Sequence, residues 1–365
     1  MRQYKLISAD SHINEPPGLW QDRVPAKFKA RAPRMERTEK GHAWILEGAL
    51  DPINFGGNAS ATKPYEERSP WMFWEDVAKG GYIASERLKD MDKDGVDAEL
   101  LYPTPRPSSA VWWNNKDRDF HLACVRAYND WLSEFSAYAP DRLGGIAMMP
   151  TSGIADTLAE LKHTLALPGM RGPLLGQWPE GGLQLTAASD PFWAAMQEAG
   201  LPVNIHVAFV EAAPGEVSRG KLSGEFRILD APLRMQTLIN SGVLDRFPKL
   251  KFAFVEVDYG WVPYLMEQMD DRHKRLDPAR RTNIKLKPSE YCKRNFYFVY
   301  ITDRYGIKNR DIIGPSHILW SSDFPHTGAD WPHSWDTINE CFRDVPPVEK
   351  HAILAGNAAA LYKLA

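Results

Sequence analysis

Several stretches of apolar residues each end in a side chain that could bind a metal ion. In chain order these side chains are Asp10, His12, His206, Glu256 and Asp323. In an extended segment, residues two apart point to the same side, so Asp10 and His12 can converge on one ion. A mixed set of carboxylate and imidazole ligands suits a divalent metal ion. We therefore predict a metal site built from Asp10, His12, His206 and Asp323, with Glu256 as a candidate catalytic group.

Each of these residues also has an ordinary structural explanation. An Asp or a His at a strand end is commonly a turn residue, and Asp323 could instead cap the first turn of a helix. Glu256 follows the buried run FAFV, where a carboxylate needs a partner, so a salt bridge explains it as well as catalysis does. The prediction of a site therefore depends on the group of strand ends and not on any single residue.

The segment 320–326, WSSDFPH, adds a possible catalytic histidine beside Asp323. His326 lies beyond the end of the strand, separated from Asp323 by a turn that contains a proline. A position on the surface, or one that only supports the ligands, is the alternative for this histidine. We predict Asp323, Glu256 and His326 as the catalytic residues.

These residues need a scaffold that brings the ends of many strands together. Eight short apolar runs alternate with segments of helical spacing, such as 118–138, 191–199 and 261–276. The predicted strands are 4–10, 97–103, 143–150, 170–174, 201–206, 251–256, 295–300 and 318–323. This alternation favours an α/β fold, a (β/α)8 TIM barrel. An open doubly wound sheet is the alternative, although no GxGxxG follows the first strand.

Two long connections exceed what a minimal barrel requires. Residues 20–81 form an insertion after the first strand, rich in Pro and Gly, and residues 207–230 form a second one after the fifth strand. Both leave the C-terminal ends of strands, where barrel enzymes place their active sites. The loop tryptophans Trp71, Trp74, Trp112 and Trp113 either stack on a planar substrate or simply pack the loops.

The composition indicates one catalytic domain, over residues 1–365. The chain has 44 Lys and Arg against 47 Asp and Glu, so its net charge of −3 offers no general attraction to nucleic acid or to anionic membranes. The N-terminal residues lack the apolar stretch of a secretory signal, which predicts a cytoplasmic location. The three cysteines are widely spaced, which argues against both disulfides and a thiolate zinc site.

Five segments together resemble the amidohydrolase superfamily, and within it the amidohydrolase 2 branch related to aminocarboxymuconate-semialdehyde decarboxylase. They are ISADSHINEP, LPVNIHVA, FPKLKFAFVE, WSSDFPH and LAGNAAALYKL, and they span nearly the whole chain. The resemblance implies two metal ligands from the first motif, a third from the histidine of the fifth strand, and an aspartate on the eighth strand that also moves protons. By position these are Asp10, His12, His206 and Asp323.

The sequence departs from this family in two places. Members usually open with HxH or ExH, whereas this chain has DxH, so Asp10 binds the ion either through its shorter side chain or through water. Many members carry a catalytic histidine at the end of the sixth strand, where this chain has Glu256. A carboxylate can act as a base or hold a partner, but it cannot supply the positive charge of an imidazolium.

The resemblance implies non-oxidative decarboxylation of an aromatic or unsaturated carboxylic acid, with one divalent metal ion and a small-molecule substrate. Hydrolysis of an amide, ester or carbon–carbon bond by a metal-activated water is the alternative. A catalytically silent barrel is a third hypothesis, motivated by the two departures. Zinc is the preferred ion and manganese the second choice. A homodimer is also expected.

Overall fold

The computed structural model describes residues 3–207, 230–280 and 283–364, with side chains omitted for 277–280. The strands in these ranges are β1 (Ile7–His12), β2 (Arg34–Arg37), β3 (His42–Ile45), β4 (Ile53–Asn54), β5 (Ala98–Tyr102), β6 (Leu143–Met148), β7 (Met170–Leu174), β8 (Val203–His206), β9 (Phe252–Val255), β10 (Phe296–Tyr300) and β11 (Ile318–Trp320).

Helices surround the strands and connect most of them. The helices in the same ranges are α1 (Leu19–Arg23), α2 (Ala84–Asp94), α3 (Pro105–Trp113), α4 (Arg118–Ser136), α5 (Ile154–Leu165), α6 (Asp190–Ala199), α7 (Asp230–Asn240), α8 (Val243–Arg246), α9 (Val262–Arg280), α10 (Pro288–Asn295), α11 (Arg304–Lys308), α12 (Arg310–Ile313), α13 (Ser334–Cys341), α14 (Pro347–His351) and α15 (Asn357–Leu361). In the part of the chain that the structure describes, no helix is both long enough and apolar enough to cross a bilayer.

Eight strands form one parallel sheet that closes on itself. Its order is β1-β5-β6-β7-β8-β9-β10-β11. The last strand meets the first through main-chain hydrogen bonds just beyond β11: the N–H of Asp323 donates to the carbonyl of Asp10 at 3.0 Å, and the N–H of His12 donates to that of Phe324 at 2.7 Å. We call this contact the β1–β11 seam. The predicted (β/α)8 barrel is confirmed.

The strands lie where the apolar runs predicted them, because a parallel strand covered on both faces is apolar along its whole length. Strand β9 reads FAFV and β10 reads FYFVY, and nearly all of these residues are buried. The first strand is displaced from the predicted 4–10 to Ile7–His12. As a result Asp10 and His12 both lie inside a strand, where they share one side.

The insertion at 20–81 contains helix α1 and a small antiparallel sheet, β2-β3-β4. It packs against the loop that follows β11: the N–H of Thr327 donates to the carbonyl of Gly57 at 2.8 Å, and the guanidinium of Arg68 donates to the carbonyls of Thr327 and Ala329. The predicted first insertion is thus an ordered part of the barrel's C-terminal face. The second, at 207–230, falls almost entirely outside the described residues.

The loop tryptophans favour the packing interpretation. The sequence predicts a loop for Trp112 and Trp113, but both residues end helix α3, which begins at Pro105. The buried indole of Trp112 donates to the carbonyl of Met149 at 2.8 Å. Trp74 packs against Tyr82, with ring centroids 4.9 Å apart. Through these contacts the side chains of Trp112 and Trp74 pack within the protein.

A buried ion pair lies beside the β1–β11 seam and supports it. Arg87 of α2 donates to the carboxylate of Glu99 on β5 at 2.6 Å, and both side chains are almost fully buried. The same guanidinium donates to the carbonyl of His12 at 2.9 Å and to that of Phe324 at 3.2 Å. Arg87 therefore connects the strand that carries two predicted metal ligands with the segment that carries another.

We expect Arg87→Leu to lower the free energy of unfolding by about 3–5 kcal/mol, because it leaves the Glu99 carboxylate buried without its partner. Urea denaturation measures this change. The double variant Arg87→Leu/Glu99→Leu is the control, since it removes the stranded charge and should recover part of the loss. A single variant as stable as the wild type would contradict this account of the pair.

Candidate active site

Strand β1 directs Asp10 and His12 to the same side, at the C-terminal end of the barrel. His12 Nε2 lies 3.4 Å from Asp10 Oδ1. The other ring nitrogen, Nδ1, lies 2.9 Å from the carbonyl oxygen of Pro103. A carbonyl only accepts hydrogen bonds, so Nδ1 carries the proton and Nε2 keeps its lone pair for a ligand.

His206 ends β8, and Glu256 follows β9. His206 Nε2 lies 3.6 Å from Asp10 Oδ1 and 3.4 Å from Glu256 Oε2. Glu256 has a φ of 58°, in the left-handed region that non-glycine residues rarely adopt. The chain therefore turns sharply at the end of β9, and this turn aims the carboxylate at His206. The structure brings Glu256 into the cluster, beside His206.

Asp323 follows β11 and also has a left-handed φ, of 54°. Its Oδ1 lies 3.4 Å from His12 Nε2 and 2.8 Å from His326 Nδ1. His326 is buried, and its ring stacks on that of His12 with centroids 3.8 Å apart. The alternative of a surface position for His326 is wrong, because the turn after Asp323 folds the ring back onto His12.

A layer of polar side chains inside the barrel supports the candidate ligands. Asn204 lies two residues before His206 on β8 and is fully buried. Its Oδ1 accepts hydrogen bonds from the hydroxyls of Tyr102, at 2.9 Å, and Tyr362, at 2.7 Å. The Tyr102 ring in turn packs against His206, with centroids 5.6 Å apart. This layer fixes the base of the cluster.

The cluster has the donor atoms that a divalent metal ion needs. Ligand atoms of Asp10, His12, His206 and Glu256 all lie within 4.8 Å of one another. Four of the predicted ligands carry buried atoms that lack a hydrogen-bond partner: both Asp10 carboxylate oxygens, His12 Nε2, His206 Nε2 and Asp323 Oδ1. Burying so many polar atoms unpaired is costly, and a cation between them removes that cost. The residues present therefore fit a metal ion.

Burial and mutual charge set the proton affinities in the cluster. Burial lowers the pKa of His206, but the carboxylates of Asp10 and Glu256 outweigh it and raise this pKa to about 9. Burial raises the pKa of Asp10, yet His206 and His12 hold it below its usual value. Burial raises the pKa of Asp323 to about 6 and lowers that of His326 to about 3. His326 is thus neutral at physiological pH.

No sequence signal marks Asn58, which belongs to the insertion at 20–81. Its side-chain nitrogen lies 3.1 Å from His326 Nε2. The two residues are 268 positions apart, and Asn58 follows no strand or motif that would mark it. Glu99 could have been noticed, because an acid within the apolar strand AELLY implies a buried partner such as Arg87.

By residue type, Arg227, Arg234 and Arg304 could pair with a substrate carboxylate, and a surface or structural ion pair is the alternative for each of them. Arg234 is buried and pairs with Asp230 at 2.9 Å. Arg304 pairs with Glu340 at 2.8 Å on the surface, which agrees with the structural interpretation of this residue. Arg227 lies outside the described residues.

Glu15, in the loop after β1, is a buried acid near the cluster. Its Oε1 accepts a hydrogen bond from the N–H of Thr104 at 2.9 Å, while Oε2 is buried without a partner. Burial raises the pKa of Glu15 to about 7 despite the hydrogen bond from Thr104. The unfolded chain loses this proton near the ordinary value of 4.5. Ionisation of Glu15 therefore favours the unfolded state, and its contribution to stability is lost as the pH rises from 4.5 to 7.

We expect Glu15→Gln to be as stable as the wild type near pH 4.5 and more stable above pH 7, by about 2–3 kcal/mol. Glutamine keeps an acceptor oxygen for Thr104 but cannot ionise. Urea denaturation across this pH range measures the difference. Glu36→Gln, at an exposed residue of β2, serves as the matched control and should follow the wild type at every pH. A Glu15→Gln profile parallel to that of the wild type would contradict the prediction.

The chain matches known proteins along nearly its whole length. The family model for amidohydrolases, Amidohydro_2, matches residues 10–364. The γ-resorcylate decarboxylase of Rhizobium sp. (strain MTP-10005) is 25% identical over 323 residues, which cover 81% of this chain and 92% of that protein. Similarity to this decarboxylase therefore extends over most of the chain.

Solved structures agree on the fold. An amidohydrolase from Mycobacterium avium subsp. paratuberculosis K-10 superposes with a TM-score of 0.76 at 20% identity, covering 99% of this chain and 98% of that one. The 5-carboxyvanillate decarboxylase of Novosphingobium aromaticivorans DSM 12444, complexed with manganese and 4-hydroxy-3-methoxy-5-nitrobenzoic acid, gives a TM-score of 0.71 at 18% identity, covering 99% and 96%. At these identities the likeness establishes the barrel alone.

Proposed function

Because this chain belongs to the amidohydrolase family, an enzyme family whose model matches residues 10–364, we propose that it is a metal-dependent, non-oxidative decarboxylase of an aromatic carboxylic acid. One observation carries the proposal: the buried group of unpartnered oxygen and nitrogen atoms at the C-terminal end of the barrel. Such a group is suited to a cation, and barrel enzymes place their chemistry at this end.

The residues that would hold the ion are Asp10, His12, His206 and Asp323, with Glu256 as a further candidate ligand. A bound divalent ion would act as a Lewis acid toward the oxygens of the substrate. Manganese is the first ion to test, since the Novosphingobium decarboxylase binds it and carboxylate-rich sites suit it. Zinc, which the sequence favoured, is the second.

Proton delivery is assigned to Asp323. In the reaction, Asp323 gives a proton to the ring carbon that bears the carboxylate. The bond between that carbon and the carboxylate then breaks, its electron pair returns to the ring, and carbon dioxide leaves. No oxidant is consumed. His326, 2.8 Å from Asp323, and Glu256, 3.4 Å from His206, are the groups positioned to assist the transfer.

The similarity to decarboxylases supports this reaction over hydrolysis. The γ-resorcylate decarboxylase aligns with most of the chain, and an aromatic acid occupies the related Novosphingobium enzyme. These relatives also suggest the substrate class, namely a benzoic acid that carries ring hydroxyl groups. Identities of 25% and below leave the individual acid to experiment.

The test is carbon dioxide release from a panel of hydroxybenzoic acids by the manganese-loaded protein, with γ-resorcylate and 5-carboxyvanillate included. We expect release from at least one acid and none after the metal is removed by a chelator. Amide and ester substrates are assayed in parallel. Hydrolysis of these without carbon dioxide release from any acid would overturn the proposal in favour of a hydrolase.

A further inference from the structure

The insertion at 20–81 supplies a polar group to the candidate active site. Asn58 ends the 3-10 helix Gly56–Asn58, and its side-chain nitrogen lies 3.1 Å from His326 Nε2. Its main chain is held on both sides: the N–H donates to the carbonyl of Phe55 at 2.8 Å, and its carbonyl accepts from the Asn14 side chain at 2.9 Å. The amide is therefore presented to the histidine by a fixed backbone.

The chemistry of the two groups determines which ring nitrogen carries the proton. An amide nitrogen only donates hydrogen bonds, so His326 Nε2 must accept, and the proton of the neutral ring lies on Nδ1. On its other side, Nδ1 lies 2.8 Å from Asp323 Oδ1. The contact is not aligned as a hydrogen bond, but a proton on Nδ1 would face the carboxylate oxygen with favourable charge, whereas a lone pair would not.

We propose that Asn58 is a positioning residue that holds His326 in the tautomer protonated on Nδ1, so that the protonated edge of the ring, and not a lone pair, lies beside Asp323. The stacking of His326 on His12, with an angle of 16° between the rings, restrains the plane in which this N–H points. In this arrangement Asn58 occupies the lone pair of His326 Nε2, and the protonated Nδ1 lies 2.8 Å from Asp323 Oδ1, so the ring supports Asp323 and keeps no lone pair for the metal ion.

The insertion that carries Asn58 is attached directly to the segment that carries His326. Ser60 Oγ lies 2.9 Å from Thr327 Oγ1, and the N–H of Ala61 donates to the carbonyl of Pro325 at 3.1 Å. Both contacts join the insertion to the segment that follows Asp323. Several hydrogen bonds thus join the insertion to this segment, so Asn58 stays beside His326 without depending on any single one of them.

The first test reads the tautomer directly and does not depend on the reaction. The protein is labelled with 15N-histidine and loaded with zinc, which is diamagnetic, and the His326 signals are assigned by comparison with His326→Gln. We expect Nδ1 to be protonated and Nε2 to be an unprotonated acceptor. A wild-type ring protonated on Nε2, or on both nitrogens, would overturn the proposal.

The second test compares two variants in the manganese-loaded enzyme. Asn58→Asp replaces the donor with an acceptor of the same shape, so it should move the proton to Nε2 or add a second one. We expect kcat to fall by up to about 100-fold, with KM little changed. Ser60→Ala removes a neighbouring contact between the same two segments and leaves His326 untouched, so it should keep both the tautomer and most of the activity.

The two tests separate this inference from the proposed function on which its catalytic part rests. If the wild type releases no carbon dioxide from any acid, the proposed function fails while the tautomer can still be read. If the wild type is active and Asn58→Asp matches Ser60→Ala in tautomer and kcat, the positioning role is wrong. Should Asn58→Asp fail to fold, Asn58→Ala and the wild-type spectrum still decide the matter.

Discussion

Asp323→Asn should lower kcat for decarboxylation by about 10²- to 10⁴-fold, because an amide cannot deliver a proton to the substrate carbon. The amide has the same shape as the carboxyl group and can occupy the same place beside His12 and His326. The ligand atoms of Asp10, His12, His206 and Glu256 come together without Asp323. The metal content should therefore stay at about one ion per chain.

Carbon dioxide release and elemental analysis on the same preparations test this expectation. The control is Asp336→Asn, an identical substitution at a side chain that is 85% exposed on α13. It should change neither quantity. An Asp323→Asn variant that keeps most of the wild-type kcat would remove Asp323 from the role of proton donor. Loss of the ion along with the activity would show that Asp323 is chiefly a ligand.

His206→Ala should abolish metal binding and, with it, activity. His206 Nε2 is buried without a hydrogen-bond partner and lies between the carboxylates of Asp10 and Glu256. Without the imidazole the remaining set loses a ligand on the β8 side of the cluster. An ion that binds only the folded protein stabilises it, by about 2.7 kcal/mol at a concentration 100 times its Kd. This stabilisation should disappear in the variant.

Elemental analysis and thermal unfolding with and without added manganese measure both effects. His333→Ala is the matched control, because its side chain is 72% exposed and contacts Asp336 on the surface. We expect it to bind metal as the wild type does. A His206→Ala protein that still binds about one ion and is still stabilised by it would show that the ligands have been wrongly assigned.

The sequence was sufficient to predict the barrel because buried parallel strands are apolar throughout and so stand out from the helices between them. Strand β6 was predicted at 143–150 and observed at Leu143–Met148, and helix α4 was predicted at 118–138 and observed at Arg118–Ser136. Errors of a few residues at the ends come from main-chain hydrogen bonds that side-chain periodicity does not specify.

The positions of the candidate ligands could be predicted in the same way. Asp10 and His12 are two positions apart in a strand, and His206, Glu256 and Asp323 each stand at or just beyond the end of one, so position alone marks them. Asn58 could not be found, since it reaches His326 through the tertiary fold of an irregular insertion. Arg87 was also missed, because a single arginine on an amphipathic helix usually faces water.

The β1–β11 seam joins residues from the two ends of the chain: Ser8 and Ser322, which contact each other at 3.1 Å, are 314 positions apart. During synthesis Asp10 and His12 are therefore made long before Asp323. The complete set of candidate ligands can therefore assemble only after β11 has been synthesised and the β1–β11 seam has formed. Completion of the candidate site is thus a late step of folding that depends on closure of the barrel.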